Sequence, residues 1–413
     1  MTSTIKNPRL FGLSKILLCL LIVSINIREP FFHTREVLFI LVVLTSLDYI
    51  DAKKLKFSIA LVTIWLISAT YNILIPGSDF SLNMSGLNTI IISGYLALIC
   101  FSQDRYADTV IKSYIFVAVL VASITIIVWL LCYRSESSYL TLRYYFTQLQ
   151  NRTGLSLISI DYRTILGRRF LTAWYRTSPC MICALGYCLG ERLRGAQKRT
   201  IVILLLGIAL VFSGTRANML SAILLMILYI AYWFSKKRFL LTKALLLSIA
   251  IIGAFAVGLK FLNDHNSASS MIKVSDATTY IRIYKSDVLR TLFFGWGPGS
   301  TFYSVGRGLV VDATELTLFE TIRRYGLIST LVVFFYIWFK PLYSILSKEQ
   351  LKHKSFYVAT LFAFIVTACT NPYLLDSVGF CALLFYCTYF DYGIGEEYFI
   401  SDQSRGKQGF NYA

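Results

Sequence analysis

The stretch "SYIFVAVLVASITIIVWLLC", Ser113 to Cys132, runs for 20 residues without one charged side chain. At about 1.5 Å of rise per residue it matches the roughly 30 Å hydrocarbon core of a bilayer. Lipid offers no hydrogen bonds to an open backbone, so the run must be a helix. Working outward, similar runs recur along the chain. They fall near Phe11 to Ile27, Val37 to Ile50, Phe57 to Ile75, Gly86 to Phe101, Thr172 to Gly190, Ile201 to Val211, Arg216 to Phe234, Thr242 to Leu262, Tyr325 to Leu346, Phe356 to Cys369 and Leu374 to Phe390. Composition agrees: of 413 residues 56% are hydrophobic and 15% charged, with a mean hydropathy of +0.63, against roughly 25% charged in a soluble domain. The sequence therefore predicts an all-α polytopic membrane protein with about 12 transmembrane helices. The first span follows Lys6, Arg9 and Lys15 as a signal sequence would. No small-residue cleavage site follows it, so it reads as a retained anchor.

Lysine and arginine gather in "DAKKLK" (Asp51 to Lys56), "GERLRGAQKR" (Gly190 to Arg199), "SKKRF" (Ser235 to Phe239) and "SKEQLKHK" (Ser347 to Lys354). These short loops share a side with the N-terminus, which the positive-inside rule makes cytoplasmic. An even number of spans returns the tail, residues 391–413, to that side. Two longer segments, residues 133–171 and 263–324, then face outward. They carry Arg134, Arg143, Arg152, Arg163, Arg168, Arg169, Arg282, Arg290, Arg307, Arg323 and Arg324. Long translocated loops escape the charge rule, which is one reading. The other is an anionic ligand at the outer face, where a guanidinium fork grips phosphate oxygens in pairs. The formal charge of +18 fits both.

Within "VFSGTRANMLSAILL", Val211 to Leu225, a polar turn separates two spans and Arg216 opens the second. A cation at a helix N-terminus opposes the dipole unless a phosphate shares the place, held also by free backbone N–H groups. Ser213, Thr215 and Asn218 add hydrogen-bonding groups; the competing reading is an arginine that snorkels to the interface. "FFGWGPGSTF", Phe293 to Phe302, lacks the Gly-Lys-Ser/Thr of a phosphate loop and the third glycine of a dinucleotide fingerprint. It reads as a sharp turn ending the helix that bears Arg282, with Gly297 and its neighbours letting backbone pass close to a bulky substrate. Trp296 belongs either to an interfacial aromatic belt or to a sugar-stacking surface.

These stretches occur in an order that resembles the O-antigen polymerase and ligase family of bacterial inner-membrane glycosyltransferases. "FSGTRANML", the arginine of "TTYIRIYKSDVLR" (Arg282), "FFGWGPGSTF" and "IRRYGLISTLVVFF" cover residues 213–335, and "RRFLTAWYRTSPCMICALGY" (Arg168 to Tyr187) is loosely similar to an earlier stretch. The resemblance implies a GT-C-like helical fold, a large periplasmic loop at 263–324, and an inner-membrane location. It also implies a substrate linked to undecaprenyl pyrophosphate. Ligase-like members carry His-Asn about eleven residues before the glycine matching Gly326; this chain has Glu315 there, and its His265-Asn266 lies before the glycine turn. The acidic residue points to a polymerase of O-antigen or capsule repeat units, with ligation to a lipid A core as the alternative.

Such a reaction needs neither nucleotide nor cofactor, and no His, Cys or carboxylate cluster has metal-ligand spacing. Charge growing on the departing pyrophosphate calls for preorganised cations, for which Arg216 and Arg282 are the candidates and Arg176, in "WYRTSPC", a third. Glu315 is the candidate base or hydroxyl-orienting group, with Asp312 on the same helical face. "DATE" also reads as a capping box with Asp312 as N-cap, which explains both carboxylates without chemistry. Glu320, three and four residues before Arg323 and Arg324, reads as a helix-surface ion pair. Tyr280 and Ile283 are expected to face lipid from an interfacial helix, opposite Arg282 and Lys285. Asn371, in "CTNPYLLDS", marks an outer hairpin within reach of the site. The nine cysteines read as small core residues. Expected partners are the lipid-linked oligosaccharide, membrane lipid and a chain-length regulator, with no role for nucleic acid. A flippase is the competing class, but it would carry charge along its spans, and these are nearly free of ionisable residues.

Overall fold

The computed structural model describes residues 8–27, 34–49, 104–153, 156–165, 168–193, 199–235, 268–297, 299–314, 316–332, 354–369 and 377–392, with isolated positions elsewhere. Most of these residues are helical. In chain order the elements are α1 (Pro8–Ile27), α2 (Thr34–Ser46), α3 (Asp104–Arg134), α4 (Glu136–Thr153), β1 (Ile158–Ile165), β2 (Arg168–Tyr175), α5 (Cys180–Leu193), α6 (Thr200–Phe212) and α7 (Arg216–Ser235). There follow α8 (Ala268–Ser286), α9 (Val288–Phe293), β3 (Phe302–Ser304), β4 (Leu309–Val311), α10 (Thr317–Tyr325), α11 (Lys354–Cys369) and α12 (Ser377–Tyr392).

Among the described residues, three helices are long and apolar enough to cross a membrane: Pro8–Ile27, Tyr106–Arg134 and Arg216–Trp233. The protein is a membrane-embedded helical protein. Its α6 and the run Lys354–Ala368 are apolar but shorter. The spans expected at Gly86 to Phe101 and Thr242 to Leu262 lie outside the described residues apart from Ile91, and those at Phe57 to Ile75 and Tyr325 to Leu346 lie largely outside them, as does the tail.

At the centre stands α5. Every residue from Cys180 to Gly190 is buried, as expected of a helix hydrophobic on all sides. It packs against α3, α6, α7, α11 and α12. One continuous apolar cluster runs through these helices and α1, with Leu18, Tyr114, Met181, Leu206, Leu225, Phe364 and Phe385 among its members.

Two departures from the expected all-α plan are antiparallel hairpins, β1 with β2 and β3 with β4. The first replaces the start of the expected span at Thr172. Its register pairs Ile158 with Tyr175, Ile160 with Ala173 and Tyr162 with Leu171. Ile158, Ile160, Leu171, Ala173 and Tyr175 are all buried. On β1 this is the period-two burial of a strand; on β2 Thr172, on the other face, is buried as well, against Gly214. Hydropathy alone cannot distinguish such an apolar strand from the start of a helix. The segment expected as a loop, 133–171, is therefore α4 plus most of a hairpin, set across the Arg134 end of α3, where the Trp129 indole donates to Leu171 O at 2.8 Å.

The helices α8, α9 and α10 and the second hairpin stand outside the main cluster and build their own small core around Tyr280. A hydrogen bond relates this module to the main helices: the Thr317 hydroxyl, at the start of α10, donates to Ala368 O at 3.1 Å. The adjacent Thr367 of α11 in turn shares a 2.8 Å hydrogen bond with Ser221 of α7.

Candidate functional site

Two turns lead into α5 and α7, and the structure joins them. After β2 the chain passes through Arg176 to Pro179, where the Ser178 N–H donates to Tyr175 O at 2.9 Å and the Cys180 N–H to Thr177 O at 2.9 Å. Pro179 precedes the helix, where a missing N–H costs nothing. The other turn closes α6: the Ser213 N–H donates to Ala209 O at 2.9 Å and its hydroxyl to Leu210 O at 2.7 Å. Gly214 has φ +61, and a Cβ there would collide with the Thr172 side chain. Only glycine meets both demands.

Asn218, on the first turn of α7, ties the two together. Its Nδ2 donates to Ser178 Oγ at 2.8 Å and to Ser213 Oγ at 3.1 Å. Around this bridge several buried polar atoms have no partner among the described residues: Thr177 Oγ1, Thr215 Oγ1, Asn218 Oδ1 and Trp174 Nε1. Thr177 and Asn218 are wholly enclosed and Thr215 is 8% exposed. Each such atom costs about 1–3 kcal/mol when left unmet. Arg176 and Arg216 are half-buried beside them. The first N–H groups of α5 are spent on Thr177 O, Ser178 O and Pro179 O, and Asn218 Oδ1 is an acceptor; the donors suited to an anion are the two guanidiniums, the Thr177 and Thr215 hydroxyls, the Trp174 indole N–H and the N-terminus of α7.

The second cluster lies in the α8–α10 module. Its centre is Glu320, which is buried, contrary to the surface ion pair expected from its spacing. Arg323 donates from Nε to Oε2 at 3.0 Å and from Nη2 to Oε1 at 2.5 Å, Arg324 donates to the same Oε1, and the Tyr280 hydroxyl donates to Oε2 at 2.6 Å. Burial alone would raise the Glu320 carboxyl; the guanidiniums of Arg323 and then Arg324 outweigh it and hold it below the usual carboxylate range. Burial, and then the neighbouring carboxylate, push the Tyr280 phenol up. The remaining donors of Arg323 reach Ser300 O at 3.0 Å, Ser300 Oγ and Asp312 O at 2.7 Å, and its guanidinium lies 4.7 Å from the Phe302 ring centroid. Spacing supplied Arg323 and Arg324; of the enclosing rings, Phe319 is Glu320's own neighbour on α10, whereas Tyr280 and Phe302 come from other elements.

The glycine turn closes on this same helix. The N–H groups of Trp296 and Gly297 donate to Arg323 O at 2.5 Å and Arg324 O at 3.0 Å, meeting carbonyls that the end of α10 leaves open. Gly295 and Gly326 lie back to back with φ +67 and +84, and a Cβ on Gly295 would stand 2.6 Å from the Arg324 carbonyl carbon and oxygen and from Gly326 N. The close approach expected toward a substrate is thus made by α10 itself. The turn also follows α9, whose N-cap is Asp287, and not the helix that bears Arg282. One ring face of Trp296 is covered by the Arg290 guanidinium at 4.2 Å, which limits any stacking to its other face.

The structure joins the turns of Arg176 and Arg216. Arg282 is exposed on α8, and no described contact places it against those turns. Tyr280, expected to face lipid, is fully buried and Arg282 is exposed, because the aromatic core of the module takes the Tyr280 side of α8. Asp312 lies just past β4 on no helix, and α10 starts at Thr317 with Leu316 before it, so the expected capping box is absent. Asp312 acts through its carbonyl, which takes Arg323 and Arg324. Glu315 and Asn371 lie outside the described residues. Sequence reasoning missed Trp174, Thr177 and Ser178; the hydroxyl-rich "RTSP" before an apolar run was the available signal. Among the described residues no group of His, Cys, Asp and Glu is placed to hold a metal ion. Comparison with family models, curated proteins and solved structures yields no match.

Proposed function

We propose that the chain is a glycosyltransferase that polymerises repeat units of O-antigen or capsule on undecaprenyl pyrophosphate. In this reading it is a GT-C-like protein of about 12 spans in the bacterial inner membrane, with both termini cytoplasmic and the residues 263–324 periplasmic. A hydroxyl of one lipid-linked repeat unit attacks the anomeric carbon of a second, lipid-linked chain. The new glycosidic C–O bond forms as the bond to pyrophosphate breaks, and the hydroxyl proton passes to a base, the role assigned to Glu315. Lipid pyrophosphate leaves with its charge increased.

The observation that carries the reading is the pair of joined turns. Thr177, Thr215 and Trp174 hold buried donors with no partner among the described residues, and the acceptor oxygens of a ligand would meet them. Arg176 and Arg216 lie beside them, and Arg216 opens a helix apolar enough to span the membrane. A phosphate ester on a lipid tail satisfies both demands at once: oxygens for the turns and a tail for the bilayer. Arg282, exposed on α8, is assigned to the substrate from the side of the module.

The test is the surface glycan profile on a gel, for strains whose only copy carries Arg216→Ala or Arg282→Ala, beside a deletion. Collapse of a long ladder to core plus a single repeat, with the protein still in the membrane, is the expected result. Loss of all repeats from the core while long lipid-linked chains accumulate would assign ligation instead. A ladder unchanged by deletion would overturn the reading.

A further inference from the structure

One exposed surface plays no part in the chemistry above. Helix α4 begins two residues after the end of α3 and turns its Tyr139, Leu142 and Phe146 side inward, where they pack on the main cluster. Its opposite side leaves Leu140 56% exposed, Tyr144 67% and Tyr145 56%. On the preceding α3, Phe116, Ile127, Leu130, Leu131 and Tyr133 are also exposed. That helix is long and apolar enough to cross a membrane, so exposed apolar residues on it suit lipid. The apolar surface does not stop where the span ends. Tyrosine is the residue that suits the next layer, its ring apolar and its hydroxyl wet.

The charge around this face is one-sided. From Tyr133 to Arg176 the chain carries arginine at 134, 143, 152, 163, 168, 169 and 176, with acid only at Glu136 and Asp161. One pair is internal: Arg143 meets Asp161 at 3.0 Å and lies over the Tyr139 ring. Arg134, Arg152 and Arg169 are exposed. Helix α4 is 18 residues long, about 27 Å, so Arg134 and Arg152 mark its two ends.

We propose that α4 and the β1–β2 hairpin form a module that lies on the bilayer surface, with Tyr144, Tyr145 and Leu140 in the headgroup layer and Arg134, Arg152 and Arg169 on phosphates of anionic phospholipid. The occupant is bulk lipid and not the lipid-linked substrate, and the inference stands whether or not the chain is a polymerase. Its consequence is mechanical. The hairpin carries Trp174 at its end and leads directly into Arg176 and Thr177, so a module seated on lipid holds one of the two joined turns in place.

The test uses the full chain in vesicles that contain no lipid-linked sugar. Tyr145→Cys is labelled with an environment-sensitive fluorophore, the unsubstituted chain serving as the labelling blank and Phe116→Cys, on the lipid side of α3, calibrating depth. The expected result is quenching of the label at 145 by lipids spin-labelled near the headgroup, stronger in vesicles with anionic phospholipid than in phosphatidylcholine alone. Arg134→Gln and Arg152→Gln should each weaken the docked population about fivefold in the anionic vesicles, with little effect in phosphatidylcholine. A label at 145 quenched only by aqueous ions in both kinds of vesicle would overturn the proposal. So would a label that loses water contact only when a soluble glycan is added, which would make the tyrosines a sugar platform.

Discussion

The joined turns before α5 and α7 and the Glu320 cluster of the α8–α10 module use the same kinds of side chain to opposite ends. In the module, Arg323 is 1% exposed and its donors all point at oxygens of Glu320, Ser300 and Asp312. In the turns, hydroxyls and an indole N–H are just as buried and have no partner among the described residues. Buried polar groups are normally satisfied, and exceptions call for a reason. A saturated cluster is architecture, whereas the unsaturated one beside two arginines is the place the proposed function assigns to a ligand. The contrast also separates two arginine roles that sequence spacing cannot separate.

The largest effect should come from breaking the saturated side. Arg323→Ala leaves a buried carboxylate with weaker compensation and frees Ser300 and Asp312 from α10, which should cost about 3–5 kcal/mol. Hydrogen exchange at the amides of Trp296 and Gly297, which donate to α10, should lose protection while the amides of α5 keep theirs. Arg323→Lys should recover part of the loss, because an ammonium cannot reproduce the fork. Equal loss of protection in α5 would show the two regions to be one cooperative unit.

Next in size is the unsaturated side. Arg216→Ala should lower polymerisation about a hundredfold, roughly 3 kcal/mol of transition-state stabilisation, measured as ladder formation from lipid-linked repeats. Its thermal unfolding in detergent, followed beside the ladder, separates loss of the ligand contact from loss of folding. A large fall in stability would move Arg216 to the architectural class.

A smaller effect is set by pH. The Glu320 carboxyl is held below its ordinary value, so its contribution to the module is fully present above the unfolded carboxylate range, near about 4.3, and is lost as pH falls through the folded value. Acid should therefore release the protection of Trp296 and Gly297 before that of α5. Glu320→Gln should remove this pH dependence and lower stability at neutral pH, because an amide cannot hold two guanidiniums as a carboxylate does. Exchange rates followed from pH 7 downward give the check.

The hydropathy of α1, α3 and α7 was enough to place those spans, because twenty apolar residues have one solution in lipid. The hairpin β1–β2 was not legible in hydropathy: "RFLTAWY" is apolar enough for a helix, and only its ladder with β1 reveals the strand. Position along the chain identified Arg216 and its turn. The partner turn with Thr177 and Ser178 lies about forty residues away, and Asn218 reaches it only through tertiary packing. Glu320 shows the same limit from the other side. Its two arginines follow from helical spacing, but whether an ion pair is solvated or sealed depends on what covers it, and Tyr280, from another helix, is part of that cover.

The smallest effect is the most discriminating, because its sign differs between the regions. Thr215→Val replaces a buried hydroxyl that has no partner with a methyl group of the same shape. With no ligand bound it should stabilise the protein by about 1 kcal/mol. Thr314→Val makes the same exchange in the module, where the hydroxyl bonds Tyr280 at 2.8 Å and accepts the Leu316 N–H at 3.3 Å, and it should destabilise by a similar amount. Thermal unfolding of both variants in one detergent gives the comparison directly. Adding a lipid pyrophosphate should then raise the unmodified protein above Thr215→Val, since only the hydroxyl can donate to the ligand. If Thr215→Val gains nothing without ligand, its hydroxyl already has a partner within the protein, and the unmet donors reduce to Thr177 and Trp174.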